Sequence, residues 1–344
     1  MIVRSTRLFL LTLAGLSLLA VAIIAGAALG ETAIPLSVVL QAMANKLFGA
    51  GFILDPIDEG IVWSYRLTRA LVATCCGAGL AVSGVVLQAL LRNPLADPYL
   101  LGISAGASTG AVSVALLGLG AGMLSLSMGA FIGAIAAFGL VALLARASGG
   151  GTRDGTGQII LAGIAGSQLF NAVTSFLITK SASAEQARGI MFWLLGNLSG
   201  VNWQDVMLAV PVATAGVLLV AWHTRALDAF TFGADSAASL GVPVRRVQAT
   251  LIGCAALVTA VMVSIVGSIG FVGLVIPHAA RLLVGVRHGR LVPASALIGA
   301  VFLIAADVLS RTLIKGQVLP IGVVTALIGA PAFAVILVRG RRTR

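Results

Sequence analysis

The chain of 344 residues is 59% hydrophobic and only 10% charged, whereas an ordinary soluble domain has about 25% charged residues. With 42 glycines and a mean hydropathy of +1.09, it reads as a bundle of membrane-spanning helices whose small residues let backbones approach closely, which excludes a soluble enzyme. The net charge of +11 would suggest nucleic acid in a soluble protein; here it asks which side of the membrane carries the arginines.

A bilayer core takes about 20 helical residues, so long uncharged stretches mark the spans. The first, residues 8–30, follows Arg4 and Arg7 and imitates a secretory signal; its 23 uncharged residues exceed the apolar core of a signal peptide, and an uncleaved first span is expected. Residues 70–91 give a second crossing. Residues 98–145 are uncharged for 48 residues and contain Gly118-Leu-Gly-Ala-Gly122, so they fold back as two spans around a glycine turn. Residues 155–179 and 206–224 give one each. Between them, residues 189–204 are uncharged but short, polar in the middle and marked by Trp193 and Trp203, which predicts an interfacial or re-entrant helix on the outer side. Residues 247–280, uncharged for 34, predict a full span to about Gly267, a break at Gly267-Ser-Ile-Gly270-Phe-Val-Gly273, and a shorter helix through Pro277 to about Arg287. Residues 291–306, running on past Asp307, and residues 316–338 complete ten spans in a single all-α transmembrane domain over 1–344.

An even number of crossings puts both termini on one side. Grouping residues 1–7, 92–97, 146–154, 225–246, 281–290 and 339–344 collects 15 of the 22 lysines and arginines; that face carries +11 and the other is neutral. The excess of basic residues makes the first face cytoplasmic. The basic charge is then topological, with anionic lipid headgroups rather than nucleic acid as its partner.

The energy source is the next question. ATP hydrolysis needs a phosphate-cradling loop ending in Gly-Lys-Ser/Thr, and the chain has no Gly-Lys pair. Ion-coupled transport usually shows ionisable residues deep in spans, whereas Asp97, Asp205 and Asp307 fall at expected helix ends. The protein is therefore passive or driven by another subunit. A catalytic reading has one foothold, Gly102-Ile-Ser104-Ala-Gly106, which matches a nucleophile elbow. That motif needs a preceding strand, and here it sits in the small-residue ridge Gly102, Gly106, Gly110, which suits helix packing. His223, His278 and His288 lie far apart near expected cytoplasmic ends and read as interfacial residues rather than metal ligands. Cys75, Cys76 and Cys254 have neither disulfide nor metal spacing and read as small apolar fillers.

Two further features carry alternatives. The cytoplasmic run Gly233-Ala-Asp-Ser-Ala-Ala-Ser-Leu-Gly241-Val-Pro243 is either a solvated turn or a short docking helix offered to a groove in a partner, closed by glycine and proline. Arg66, Arg69 and Arg311 lie beside expected outer membrane ends, on the side that the charge bias depletes. They either snorkel to lipid phosphates or anchor carboxylates of an external partner.

Several long motifs in order resemble one family. Arg66-Leu-Thr-Arg69, Gly77-Ala-Gly-Leu-Ala-Val-Ser-Gly84, Gln88-Ala-Leu-Leu-Arg-Asn-Pro-Leu-Ala-Asp-Pro98 and Leu101-Gly-Ile-Ser-Ala-Gly-Ala107 are similar to the FecCD-type permeases of ABC importers for iron-siderophores, haem and cobalamin. Gly270-Phe-Val-Gly-Leu-Val-Ile-Pro-His-Ala-Ala-Arg281, Ala306-Asp307 with Arg311, and Leu319-Pro-Ile-Gly-Val-Val-Thr-Ala-Leu-Ile-Gly-Ala-Pro331 extend the resemblance to about residue 338. Thr68 departs from it, proline being common there.

The resemblance implies a type II ABC importer permease fold with ten helices per subunit, a homodimer with the pathway between subunits, two ATPase subunits below and a periplasmic or lipid-anchored binding protein above. It implies a multi-pass subunit of the bacterial inner membrane that binds no cofactor itself, ATP and magnesium belonging to the ATPase. Within the coupling segment, residues 228–248, it assigns Gly233, Ala237, Leu240 and Gly241 to the ATPase contact. It assigns Arg66, Arg69 and Arg311 to binding-protein docking, and Asn93, Leu95 and Thr156 to an inner gate. Gln88, Ser104, Ser108, Gln168, Asn171 and Ser175 are polar, uncharged pathway candidates, which favour a whole chelate over a bare ion needing ligands. Phe192-Trp-Leu-Leu-Gly196 resembles siderophore members more than haem members. An iron-siderophore is the expected cargo, with haem or cobalamin as the alternative; an ion-coupled secondary transporter and a membrane-embedded hydrolase are the competing classes.

Overall fold

Apolar runs that must satisfy every backbone group internally in lipid can only be helical here, and the computed structural model has helices and no strand among the described residues. It describes residues 2–120, 122–148 and 155–342, with side chains except at 2–9, 155, 156, 337 and 339–342. In chain order the helices are α1 (Ile2–Ala28), α2 (Leu36–Phe48), α3 (Pro56–Gly60), α4 (Leu67–Leu90), α5 (Ile103–Leu117), α6 (Leu126–Ala147), α7 (Gly155–Ser181), α8 (Ala184–Leu194), α9 (Trp203–Trp222), α10 (Thr224–Phe230), α11 (Ala234–Ser239), α12 (Val244–Val266), α13 (Val272–Val284), α14 (His288–Thr312) and α15 (Ile321–Arg342). A π-helical turn, Ile61–Arg66, fuses α3 to α4, and a 3-10 turn, Pro98–Leu101, precedes α5.

Among the described residues, seven helical stretches are long and apolar enough to cross a membrane: α1, the α3–α4 unit, α6, α7, α9, α12 and α14. Every expected span coincides with a helix, but α5 and α13 have only 15 and 13 residues, short of the roughly 20 that a bilayer core takes. Their brevity has local causes. Asp97 caps the 3-10 turn by accepting the Tyr99 N–H at 2.8 Å, which delays α5, and Gly118, with φ 62°, ends it. The expected break after α12 is present: Gly267, with φ 73°, stops that helix, and Phe271, with φ 69°, precedes α13.

Three boundaries differ from the sequence expectation. The outer helix expected at 189–204 is instead α8, because Ser183 and Gln186 form a capping box that starts it earlier. Gly196, with φ 82°, then turns the chain, and Asn202 with Asp205 caps α9. The coupling segment 228–248 is not one element; it contains the end of α10, all of α11 and the start of α12. Residues 31–60, for which no element was expected, hold α2 and α3.

α4 occupies the centre, with 20 of its 24 residues buried. Glycines set how closely its neighbours approach. A methyl placed on Gly77 would stand 2.1 Å from the carbonyl oxygen of Gly299 on α14, and one on Gly84 would stand 1.9 Å from that of Gly273 on α13. The Gly106 and Gly110 ridge of α5 meets α6 in the same way, a methyl there falling 2.3 and 2.0 Å from the carbonyl oxygens of Gly133 and Gly129. Cys75 and Cys76 are buried in the core beside Met262, as expected of apolar fillers.

Candidate functional site

Where α1 and α14 end and α4 begins, the three arginines are turned inward. Arg66, Arg69 and Arg311 are each 2% exposed or less, so their guanidinium groups turn into the protein rather than out to lipid. For Arg69 and Arg311 the reason is Asp307. It lies inside α14 rather than at its end, 1% exposed; one carboxylate oxygen accepts from Arg69 Nη2 at 2.6 Å and Nε at 3.1 Å, and the other forms an ion pair with Arg311 Nη2 at 2.9 Å without a hydrogen bond. Arg69 also donates to Tyr65 Oη at 2.7 Å and Ser199 Oγ at 3.0 Å. Arg311 reaches the Gly26 carbonyl at 3.0 Å, and Arg66 donates to the carbonyls of Ala28 and Thr32 beneath Gly30. One cluster therefore joins the end of α1, the start of α4 and the end of α14 to the loop before α9. It holds three cations against one buried anion, and Arg311 Nη1 has no hydrogen-bond partner. Thr68 sits inside the continuous helix, its hydroxyl donating back to Ser64 and Tyr65 carbonyls.

The six pathway candidates divide into two groups. Gln88 is buried and its amide donates to the Gly273 and Leu274 carbonyls at 3.2 and 3.3 Å. Ser104 Oγ donates to Ser268 Oγ at 2.9 Å, and Ser108 Oγ to the Ser104 carbonyl at 2.9 Å. Gln88 and Ser104 thus bond to the break and the start of α13, while the Ser108 hydroxyl bonds back within α5. Ser104 also lies on a helix, and the histidine rings bond Leu219 and Leu274 carbonyls and Asp228, so no nucleophile elbow forms around it. Gln168, Asn171 and Ser175 are exposed on α7, and their spacing of three and four puts them on one helix face. Gln168 also lines a recess of about 350 Å³ with Asp97, Tyr99, Leu100, Gly163, Ile164 and Ser167.

Tyr99 is a residue the sequence reasoning did not single out, and Asp97 is one it placed only at a helix end. Tyr99 Oη bonds both the N–H and the carbonyl of Ile269, at 2.9 and 3.0 Å, and so clamps the break between α12 and α13. Asp97 lies in the loop outside the long spans. Burial pushes its carboxyl up to about 6, opposed by the Tyr99 N–H. An aspartate and a tyrosine flanking a proline between two apolar helices were the available signal.

In the loop after α4, Asn93 Oδ1 accepts the Leu95 N–H at 2.9 Å, and Leu95 is half exposed. Thr156 begins α7, and its side chain lies outside the described residues. The structure does not bring Asn93 and Leu95 together with the exposed stripe of α7 in any hydrogen bond among the described residues. In the coupling segment Ala237 is fully buried, packed with Leu227, Phe230, Val85, Val86 and Leu251, while Leu240 and Phe232 are 71% and 76% exposed. The glycines on either side have φ 104° at Gly233 and 82° at Gly241, conformations that favour residues without a Cβ.

The sequence matches the FecCD transport family over residues 18–339. It is 42% identical to the cobalamin import system permease protein BtuC of Halobacterium salinarum over 83% of this chain and 74% of that one. It is 36% identical to the probable siderophore transport system permease protein YfhA of Bacillus subtilis over 95% and 94%. A solved inward-facing metal-chelate type ABC transporter superposes with a TM-score of 0.80 at 31% identity, covering 97% of this chain and 99% of that chain.

Proposed function

Because the chain belongs to the FecCD transport family and is the permease subunit of an ABC importer, without an ATPase of its own, we propose that its cargo is an intact metal chelate, an iron-siderophore, carried inward across the bacterial inner membrane. The observation that carries this reading is the uncharged polar stripe of α7 beside the recess. Polar side chains facing outward from a spanning helix are costly against lipid, so they suit a wet face against a second copy of the subunit. Amides and hydroxyls without a cluster of charge suit a ligand whose metal is already coordinated. The siderophore relative and the metal-chelate transporter support the same cargo class.

Cobalamin is the second reading, favoured by the 42% identity to the Halobacterium permease. In either case the subunit pairs with a second copy, both termini lie in the cytoplasm, α11 faces the ATPase, and the outer arginine cluster faces the binding protein. Cysteines placed at Ser236 and Ala184 test the orientation by the face from which each is labelled. The cargo is tested by purifying the permease with its ATPase and binding protein and comparing binding of a ferric siderophore, haem and cyanocobalamin. Selective binding of the ferric siderophore supports the proposal; selective binding of cyanocobalamin or haem replaces it.

A further inference from the structure

Two contacts at the inner end are not used by the function above. Asp228 on α10 accepts the His288 backbone N–H at 2.9 Å and lies 2.8 Å from His288 Nδ1, through the same carboxylate oxygen. Leu227 and Phe230 of α10 are buried in the core formed by the inner parts of α4, α12, α13 and α14. This end of the coupling segment is therefore fixed. Three residues beyond Phe230 the chain turns at Gly233 and starts α11, with Leu240 and Phe232 exposed beside it.

Against that turn lies Arg92. A methyl built on Gly233 would stand 3.2 Å from Arg92 Nη1, so the guanidinium rests on the glycine at the start of α11. Arg92 itself has φ 49° and, with Phe271, is one of two non-glycine residues with positive φ among the described residues. Such a conformation is disfavoured for a residue with a Cβ and persists where the surroundings hold it. The next residues form a tight turn: Asn93 Oδ1 accepts the Leu95 N–H at 2.9 Å, and the Asn93 carbonyl accepts the Ala96 N–H at 3.0 Å. Arg92 to Ala96 is thus a small braced unit that carries Leu95.

We infer that Arg92 is a positioning residue that ties the turn bearing Asn93 and Leu95 to the coupling helix. With α10 pinned at His288, a shift of α11 passes through Gly233 to the Arg92 guanidinium and moves Leu95. The inference rests on the reading of α11 as the ATPase contact. It also gives Gly233 two reasons to be glycine, its φ of 104° and the approach of Arg92.

The test uses the full permease purified with its ATPase partner, with Leu95→Cys as a reporter labelled by a polar maleimide before and after trapping with ATP and vanadate. Trapping is expected to change the labelling rate of Leu95→Cys, and Arg92→Ala to reduce that change at least about five-fold, the lower end of usual coupling between sites. Arg92→Gly accepts the positive φ without strain and must show the same loss, which separates the guanidinium contact from the backbone; Arg92→Lys should restore part of the response. The inference is overturned if Arg92→Ala and Arg92→Gly respond to trapping as the wild type does. It is also overturned if the ATPase is bound and hydrolyses ATP while Leu95→Cys never changes. An ATPase that fails to associate with the wild-type permease removes the underlying functional reading itself.

Discussion

Arg69 on α4 and Asp307 on α14, 238 residues apart, form a buried ion pair with Nη2 and Oδ1 2.6 Å apart. Arg311 shares the same carboxylate. Removing one partner of a buried pair leaves an uncompensated charge and costs about 3–5 kcal/mol. Asp307→Ala should therefore sharply lower the melting temperature of the detergent-purified protein, and Arg69→Lys should lower it less, since the charge survives while the bonds to Tyr65 and Ser199 do not. Melting curves that superpose on the wild type would mean the cluster contributes nothing to the fold.

Glycine positions offer a paired control. Gly84→Ala drives a methyl to within 1.9 Å of the Gly273 carbonyl oxygen, whereas a methyl on Gly139 of α6 meets nothing within 4 Å. The first change should reduce folded protein in the membrane by forcing α4 and α13 apart. The second should be neutral or stabilise by up to about 1 kcal/mol through helix propensity. Fluorescence-detected size exclusion compares the two directly, and equal yields would contradict the close packing.

These two cases mark what the sequence carries. Uncharged runs locate α1, α6, α7, α9, α12 and α14 because lipid imposes a length on them, and the small-residue ridge at Gly106 and Gly110 is visible as a period. The break at Gly267 is likewise announced by its glycines. Burial of Arg66 and Arg69 is not legible, because charge near a span end looks the same whether it faces lipid, a partner, a carbonyl of another helix end or an aspartate far away in the chain; for Arg311 the aspartate is one turn away, but its burial depends on the packing of α14 against α1 and α4. α2 and α3 are hidden by their short length and by Lys46, Asp55, Asp58 and Glu59, which interrupt the apolar run. Asp97 and Tyr99 act through contacts with Gly273 and Ile269 that no local pattern contains.

Asp97 predicts a pH dependence of stability. Its folded carboxyl is raised to about 6 by burial, so its favourable contribution is present below the ordinary carboxylate range and is lost as pH rises through about 6. Thermal stability should therefore fall between about pH 4 and pH 7 by this group, and Asp97→Asn should flatten that part of the profile. A variant profile that parallels the wild type would assign the dependence to other groups.

The arginine cluster is buried, so under the docking proposal a carboxylate on a binding protein would sense its net positive charge through the field rather than by direct contact. Docking of the binding protein to the purified complex should weaken as salt rises from about 0.05 to 0.5 M. Arg66 is not bonded to Asp307 but holds the Ala28 and Thr32 carbonyls, so its variants are compared at matched folded abundance, where Arg66→Glu should weaken docking more than Arg66→Lys. Docking that ignores both salt and Arg66→Glu would confine the cluster to holding α1, α4 and α14 together.

The central claim is that another subunit drives this permease through α11, and Leu240 is the residue on which to measure it. Ala237 is buried, so Ala237→Arg would disrupt packing, whereas Leu240 is 71% exposed and can be changed without disturbing the core. A charge placed there cannot be desolvated in a packed groove. The measurement is retention of the ATPase subunit by affinity-purified permease, at equal membrane abundance, for wild type and Leu240→Arg. The account predicts that the wild type retains the ATPase and that Leu240→Arg loses it or hydrolyses ATP without moving cargo. Full retention with wild-type ATP-driven uptake in Leu240→Arg would contradict it.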